Sequence, residues 1–122
     1  MTSSEGLHFV VEGGKPLSGS VETARSKNGA VGLLAASLLN RGTTTLLRMP
    51  KIEEVNRLIE VLRSIGVEVK WDGNNLVITP PEKIDLASMN REAATRTRSI
   101  LMFIGPLLHH FKDFEIPQSG GC

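Results

Sequence analysis

The spacing of apolar positions changes several times along the chain, and each change marks an element. Leu7-His8-Phe9-Val10-Val11 is apolar and β-branched and stops at Gly13-Gly14, which predicts a strand and a turn. Lys15-Pro16-Leu17-Ser18-Gly19 continues the turn chemistry, and Ser20-Val21-Glu22-Thr23 reads as a short return strand. Between residues 27 and 40, Ala30, Val31, Leu33, Leu34, Ala35, Ala36, Leu38 and Leu39 are apolar nearly all round. Such a segment predicts a helix buried on most sides. Ser26 is placed to cap its start and Gly42 to end it.

Thr43-Thr44-Thr45-Leu46-Leu47-Arg48 is β-favouring and ends near Pro50. Ile52, Val55, Leu58, Ile59, Leu62 and Ile65 then form a one-sided helical stripe. Glu53 and Glu54 sit in its first turn, where the helix dipole favours negative charge, and Gly66 ends it. Val67, Val69 and Trp71 alternate with Glu68 and Lys70. Asp72-Gly73-Asn74-Asn75 predicts a hairpin turn, with Leu76-Val77-Ile78 returning to Pro80-Pro81. Residues 82–90 read as irregular. A third helix is expected over about Ala93 to His110, kinked or divided by Pro106, and Phe114-Glu115-Ile116 as a last short strand. Two helices and a hairpin make one α+β unit, and the third helix opens a second. The first 25 residues fall outside that unit.

Composition narrows the function classes. A chain of 122 residues, 40% hydrophobic, can bury one core of its own. Its net charge of +1 and 4% aromatic content, with no tyrosine, lack the basic face and stacking platforms of a nucleic-acid binder. A single cysteine forms no internal disulfide, which fits a reducing compartment. The N-terminus has no signal-peptide pattern, and the apolar windows 30–39 and 100–108 are too short to span a membrane. A soluble, cytoplasmic protein is the expectation.

Three places along the chain are candidates for chemistry. Ser26-Lys27-Asn28 opens the first helix, where unpaired amides and the dipole favour an anion and Lys27 adds a full charge. Asn28 is in place to hydrogen-bond a hydroxyl or amide. An ordinary capped helix with a solvated lysine explains the same residues. Arg96 and Arg98, two apart near the start of the expected third helix, cannot both point the same way, so one at most faces a ligand. Cys122 follows Gly120-Gly121, a pair that lets backbone turn sharply and approach a ligand closely. It is a candidate nucleophile or acid, or else an incidental thiol. The adjacent His109 and His110 suit neither a metal site nor a relay, and zinc spacings, a Walker loop and a dinucleotide fingerprint are missing. No metal or cofactor is expected. A chain that stops on this cysteine reads as the front part of a larger enzyme.

Together these pieces resemble the N-terminal part of the UDP-N-acetylglucosamine 1-carboxyvinyltransferases, from about Phe9 to Cys122. The anchors are Leu17-Ser18-Gly19 with Val21, Ser26-Lys27-Asn28-Gly29-Ala30, and Ala35-Ala36-Ser37-Leu38-Leu39. They continue through Pro50-Lys51-Ile52, Leu62 with Ile65-Gly66-Val67, Thr97-Arg98-Ser99-Ile100, Gly105-Pro106-Leu107 and Gly120-Gly121-Cys122. The resemblance implies transfer of the enolpyruvyl group of phosphoenolpyruvate to the 3′-hydroxyl of UDP-N-acetylglucosamine, with phosphate release, the first committed step of peptidoglycan synthesis. It implies that Lys27 and Asn28 meet phosphoenolpyruvate and that Arg98 lies close to the nucleotide sugar. Cys122 is implied as the mobile-loop general acid and the residue alkylated by fosfomycin. The implied fold is an inside-out α/β barrel of βαβαββ units, of which only the first part is here. Residues 1–26 would belong to the other domain of the full enzyme and 27–122 to the first part of the catalytic domain, with the remainder of the enzyme as partner.

The chain departs from the family pattern at three places. Arg25-Ser26 stands where Gly-Ala usually precedes the lysine, Ser119 where proline commonly precedes the glycines, and Met102 where some members carry tryptophan. Two alternatives remain: a related enolpyruvyl transferase using shikimate 3-phosphate or another acceptor, and a non-catalytic truncated domain. The cysteine loop argues against the shikimate enzyme, which lacks it. Alone, the 122 residues are expected to be inactive.

Overall fold

Ser26 opens the first helix as its side chain dictates. In the computed structural model, which describes residues 8–120, its hydroxyl accepts the Gly29 amide at 3.0 Å. The helix runs over Lys27–Ala36 (α1) and tightens into a 3-10 turn over Ser37–Leu39. It stops at Asn40 rather than Gly42, because the Asn40 side chain accepts the Gly42 amide and donates to the Thr44 hydroxyl. Ala30, Val31, Leu34, Ala35 and Leu38 are buried. Leu33 and Leu39 are not: each is about half exposed, at 53% and 50%, so one side of the helix lies open.

Thr44–Leu46 (β1), Glu53–Ser64 (α2), Glu68–Asp72 (β2) and Asn75–Thr79 (β3) follow in the predicted order. The α2 stripe of Val55, Leu58, Ile59 and Leu62 is buried, together with Ile65 just beyond it, as its one-sided spacing requires. The sheet order is β1-β3-β2, and both outer strands run antiparallel to β3. They are therefore parallel to each other, joined by α2 as a crossover with β3 inserted between them. Val69 pairs with Ile78 and Trp71 with Leu76, which puts Val69, Leu76 and Ile78 on the covered face. Lys51 places its ammonium 5.2 Å from the centroid of Trp71.

Gly66 ends α2 in the left-handed region, at φ +97°, so that Val67 returns its amide to the Leu62 carbonyl at 3.0 Å. A Cβ here meets Pro81 at 3.3 Å as well as the backbone penalty. Gly66→Ala is expected to lower stability by about 1–2 kcal/mol in urea titration; an unchanged midpoint would show that the turn relaxes without cost.

Three expected elements differ. Residues 8–25 join no ladder, and Phe9, Val10, Val11, Leu17 and Val21 are almost fully exposed. They dock on neither outer edge of the β1-β3-β2 sheet among the described residues; Leu7 lies outside them. The third helix is broken into Arg91–Thr95 (α3), a 3-10 segment Arg98–Phe103, and Ile104–Leu107 (α4). The break comes at Thr97, not at Pro106. Thr97 is extended (φ −139°, ψ 132°) and its hydroxyl caps the Ser99 amide, a local bond that competes with helix. Pro106 sits in the single turn of α4, where a missing amide costs little. Phe114 and Ile116 pack on the core without pairing as a strand.

Candidate active site

The break at Thr97 brings the candidate cations together. Glu54 stands in the first turn of α2, behind Ile52, which offers no side-chain cap. Its carboxylate meets the Lys27 ammonium at 2.8 Å and accepts the Thr97 hydroxyl at 3.1 Å and the Ser99 hydroxyl. One side chain thus touches the start of α1 and the start of the 98–103 segment. The hydrogen bond from Lys27 first, then that from Ser99, holds the Glu54 carboxyl below the ordinary carboxylate range; Thr97 adds to this and partial burial opposes it. A lowered folded-state value means that this cluster stabilises the fold above the ordinary carboxylate range. The contribution is lost as pH falls through the lowered value.

Lys27, Glu54, Arg57, Arg96 and Arg98 border one cleft of about 440 Å³, with Glu53 and Thr97 completing its walls. Arg57 is held by Glu53 at 2.6 Å and by Glu60 at 3.5 Å, and Arg96 by Glu92. Arg98 makes no ion pair among the described residues. Both Arg96 and Arg98 line this cleft, contrary to the expectation that they diverge; that expectation assumed one continuous helix, which Thr97 interrupts. Lys27, Arg57 and Arg96 are each paired with a carboxylate, so Arg98 is the cation of this lining that no ion pair among the described residues neutralises, a place for an incoming anion.

Asn28 borders an adjoining hollow with Val31, Arg98, Ser99, Leu101 and Met102. Arg98 is common to both, so it borders the hollow lined by Lys27 and the one lined by Asn28. Leu101 and Met102 supply an apolar flank beside these polar groups. A separate cleft, lined in part by Leu38, Arg41, Pro81 and His110, contains none of the candidate residues. There His110 bonds the Leu38 carbonyl through Nε2 at 2.8 Å, a packing role. Among the described residues no group of three or more His, Cys, Asp or Glu is arranged to hold a metal ion. No helix among them is long and apolar enough to cross a membrane.

The glycine loop returns to the same region. Gly120 donates its amide to the Thr95 carbonyl at 2.7 Å, one residue before Arg96. A Cβ at Gly120 would stand 3.0 Å from that carbonyl oxygen, so the close approach made by this glycine is to the protein's own backbone. Cys122 lies outside the described residues. Glu54 is the residue that sequence reasoning passed over. Its helix-start position explains a carboxylate there, and only the tertiary fold shows what the carboxylate joins.

Residues 11–122 match the family model described as EPSP synthase (3-phosphoshikimate 1-carboxyvinyltransferase). The chain is 34% identical over 115 residues to a UDP-N-acetylglucosamine 1-carboxyvinyltransferase of Bradyrhizobium diazoefficiens, covering 94% of this chain and 27% of the relative. It is 37% identical over 113 residues to that of Corynebacterium jeikeium, covering 93% and 27%. With a third relative, from Caldanaerobacter subterraneus, the identity is 35% over 114 residues, covering 93% and 27%. The chain spans about a quarter of the length of these relatives. With nearly its whole length matched, the chain belongs to the EPSP synthase (3-phosphoshikimate 1-carboxyvinyltransferase) family, and it is similar to the N-terminal part of the UDP-N-acetylglucosamine 1-carboxyvinyltransferases.

Proposed function

We propose that this chain contributes the phosphoenolpyruvate-binding side of an enolpyruvyl transferase whose acceptor is the 3′-hydroxyl of UDP-N-acetylglucosamine, in peptidoglycan synthesis. The observation that carries the reading is the cleft at the start of α1, where Lys27 and Arg98 border one space. In this role Lys27 and Asn28 hold phosphoenolpyruvate and Arg98 attends the nucleotide sugar. Cationic groups fixed before the substrate arrives stabilise the charge that develops on the departing phosphate. Cys122 acts as general acid toward the enolpyruvyl carbon and is the site of fosfomycin alkylation. Residues 1–26 pair with a second domain, residues 27–122 begin the catalytic one, and the whole closes as an inside-out barrel of βαβαββ units in the cytoplasm.

Phosphate release tests this reading. A chimera carrying residues 11–122 in place of the matching quarter of the Bradyrhizobium relative is expected to release phosphate from phosphoenolpyruvate when UDP-N-acetylglucosamine is supplied. Shikimate 3-phosphate is expected to give none, and the 122-residue chain alone none with either acceptor. A folded chimera that turns over only shikimate 3-phosphate, or neither acceptor, would refute the assignment.

A further inference from the structure

We propose that Glu54 is the positioning residue of this site, tying Lys27 on α1 to the Thr97–Ser99 turn that carries Arg98 and so fixing the two cations relative to each other. The inference rests on the reading of Lys27 as the phosphoenolpyruvate contact. Three observations lead to it. The Glu54 carboxylate bonds three side chains that belong to two separate segments. Thr97 is buried, at 6% exposure, and extended between two helical pieces, and its hydroxyl donates to Glu54 while accepting the Ser99 amide. Arg98 follows it directly and carries no ion pair of its own among the described residues, so the placement of its backbone depends on this turn.

A carboxylate at this point also opposes an incoming anion. A group kept only for electrostatics would be better replaced by a neutral amide, whereas a group kept for geometry is not. The two roles therefore predict opposite behaviour. Glu54 is held by hydrogen bonds to two hydroxyls in addition to an ammonium, and the directionality of those bonds favours geometry. When an anion reaches Lys27, the shared carboxylate transmits the change to Thr97 and Ser99.

Nuclear magnetic resonance of the 122-residue protein titrated with phosphoenolpyruvate tests the tie. In the unaltered protein the Lys27 ammonium and the backbone amides of Arg98 and Ser99 are expected to shift with one midpoint. In Glu54→Gln the Lys27 signal still moves, while the Arg98 and Ser99 amides lose their response; Glu54→Asp recovers part of it. Thr97→Val combined with Ser99→Ala is expected to cut the same response from the other side, with Lys27 and Glu54 still paired. A purely structural role would change the urea midpoint and leave the joint response intact. An Arg98 response unchanged in Glu54→Gln overturns the proposal. If phosphoenolpyruvate moves nothing even in the unaltered protein, the reading of Lys27 fails instead. The tie is then judged without ligand: Glu54→Gln should speed solvent exchange of the Lys27 ammonium and the Thr97 hydroxyl, and unchanged exchange of both refutes it.

Discussion

Phe103→Ala is expected to destabilise the fold by about 3–5 kcal/mol, which is a large part of the total stability available to a domain of this size. Phe103 is fully buried, one of the largest side chains with no exposure, at the end of the 98–103 segment where it runs into α4. That segment packs against α1 and runs directly into α4, and the ring belongs to the buried core. Removing it takes away its burial and leaves a cavity that two separately anchored helices cannot close without shifting each other. The measurement is the unfolding free energy from urea titration, with Leu33→Ala as comparison. Leu33 is 53% exposed and is expected to cost less than about 1 kcal/mol. A Phe103→Ala loss as small as that of Leu33→Ala would mean that the core re-forms without the ring. The site depends on the same packing, because Arg98 and Ser99 begin the segment that Phe103 anchors.

Elements whose pattern records one covered face were legible in the sequence. The stripe from Val55 to Leu62 could be read because an amphipathic helix reports its own buried side, and Gly66 because a left-handed helix end needs glycine. The hairpin was legible from Asp72-Gly73-Asn74-Asn75 for the same local reason; Gly73 has φ +59°. Apolar, β-branched composition reports that a segment suits a strand but not whether it docks on a sheet edge. That is why residues 8–11, 20–23 and 114–116 read as strands and join no ladder among the described residues. The break at Thr97 was hidden because it turns on one hydroxyl choosing between a backbone amide and helical geometry. Lys27, Asn28 and Arg98 were singled out from helix-start chemistry and resemblance, but their convergence depends on that break. Glu54 had a sufficient local explanation, so nothing in the sequence asked for a distant partner.

The largest functional effect is expected at Lys27. In the chimera described above, Lys27→Met keeps the length and most of the apolar stem while removing the charge, and kcat/KM for phosphoenolpyruvate is expected to fall about 10²–10³-fold, the usual loss when one fixed donor to a developing anion is removed. Stability should hardly change: Lys27 is 57% exposed, and an ion pair so open to solvent contributes at most about 1 kcal/mol. The KM for UDP-N-acetylglucosamine should stay within about threefold, since the proposal gives that substrate to Arg98. Lys27→Arg restores the charge but replaces a compact ammonium by a planar fork, and recovers activity only in part. The pattern across the two substrates is what tests the assignment. Equal losses for both would place Lys27 in a general structural role, and a loss confined to the nucleotide sugar would exchange the roles given to Lys27 and Arg98. Full activity in Lys27→Met would leave the cleft at the start of α1 without the cation on which the proposed chemistry depends.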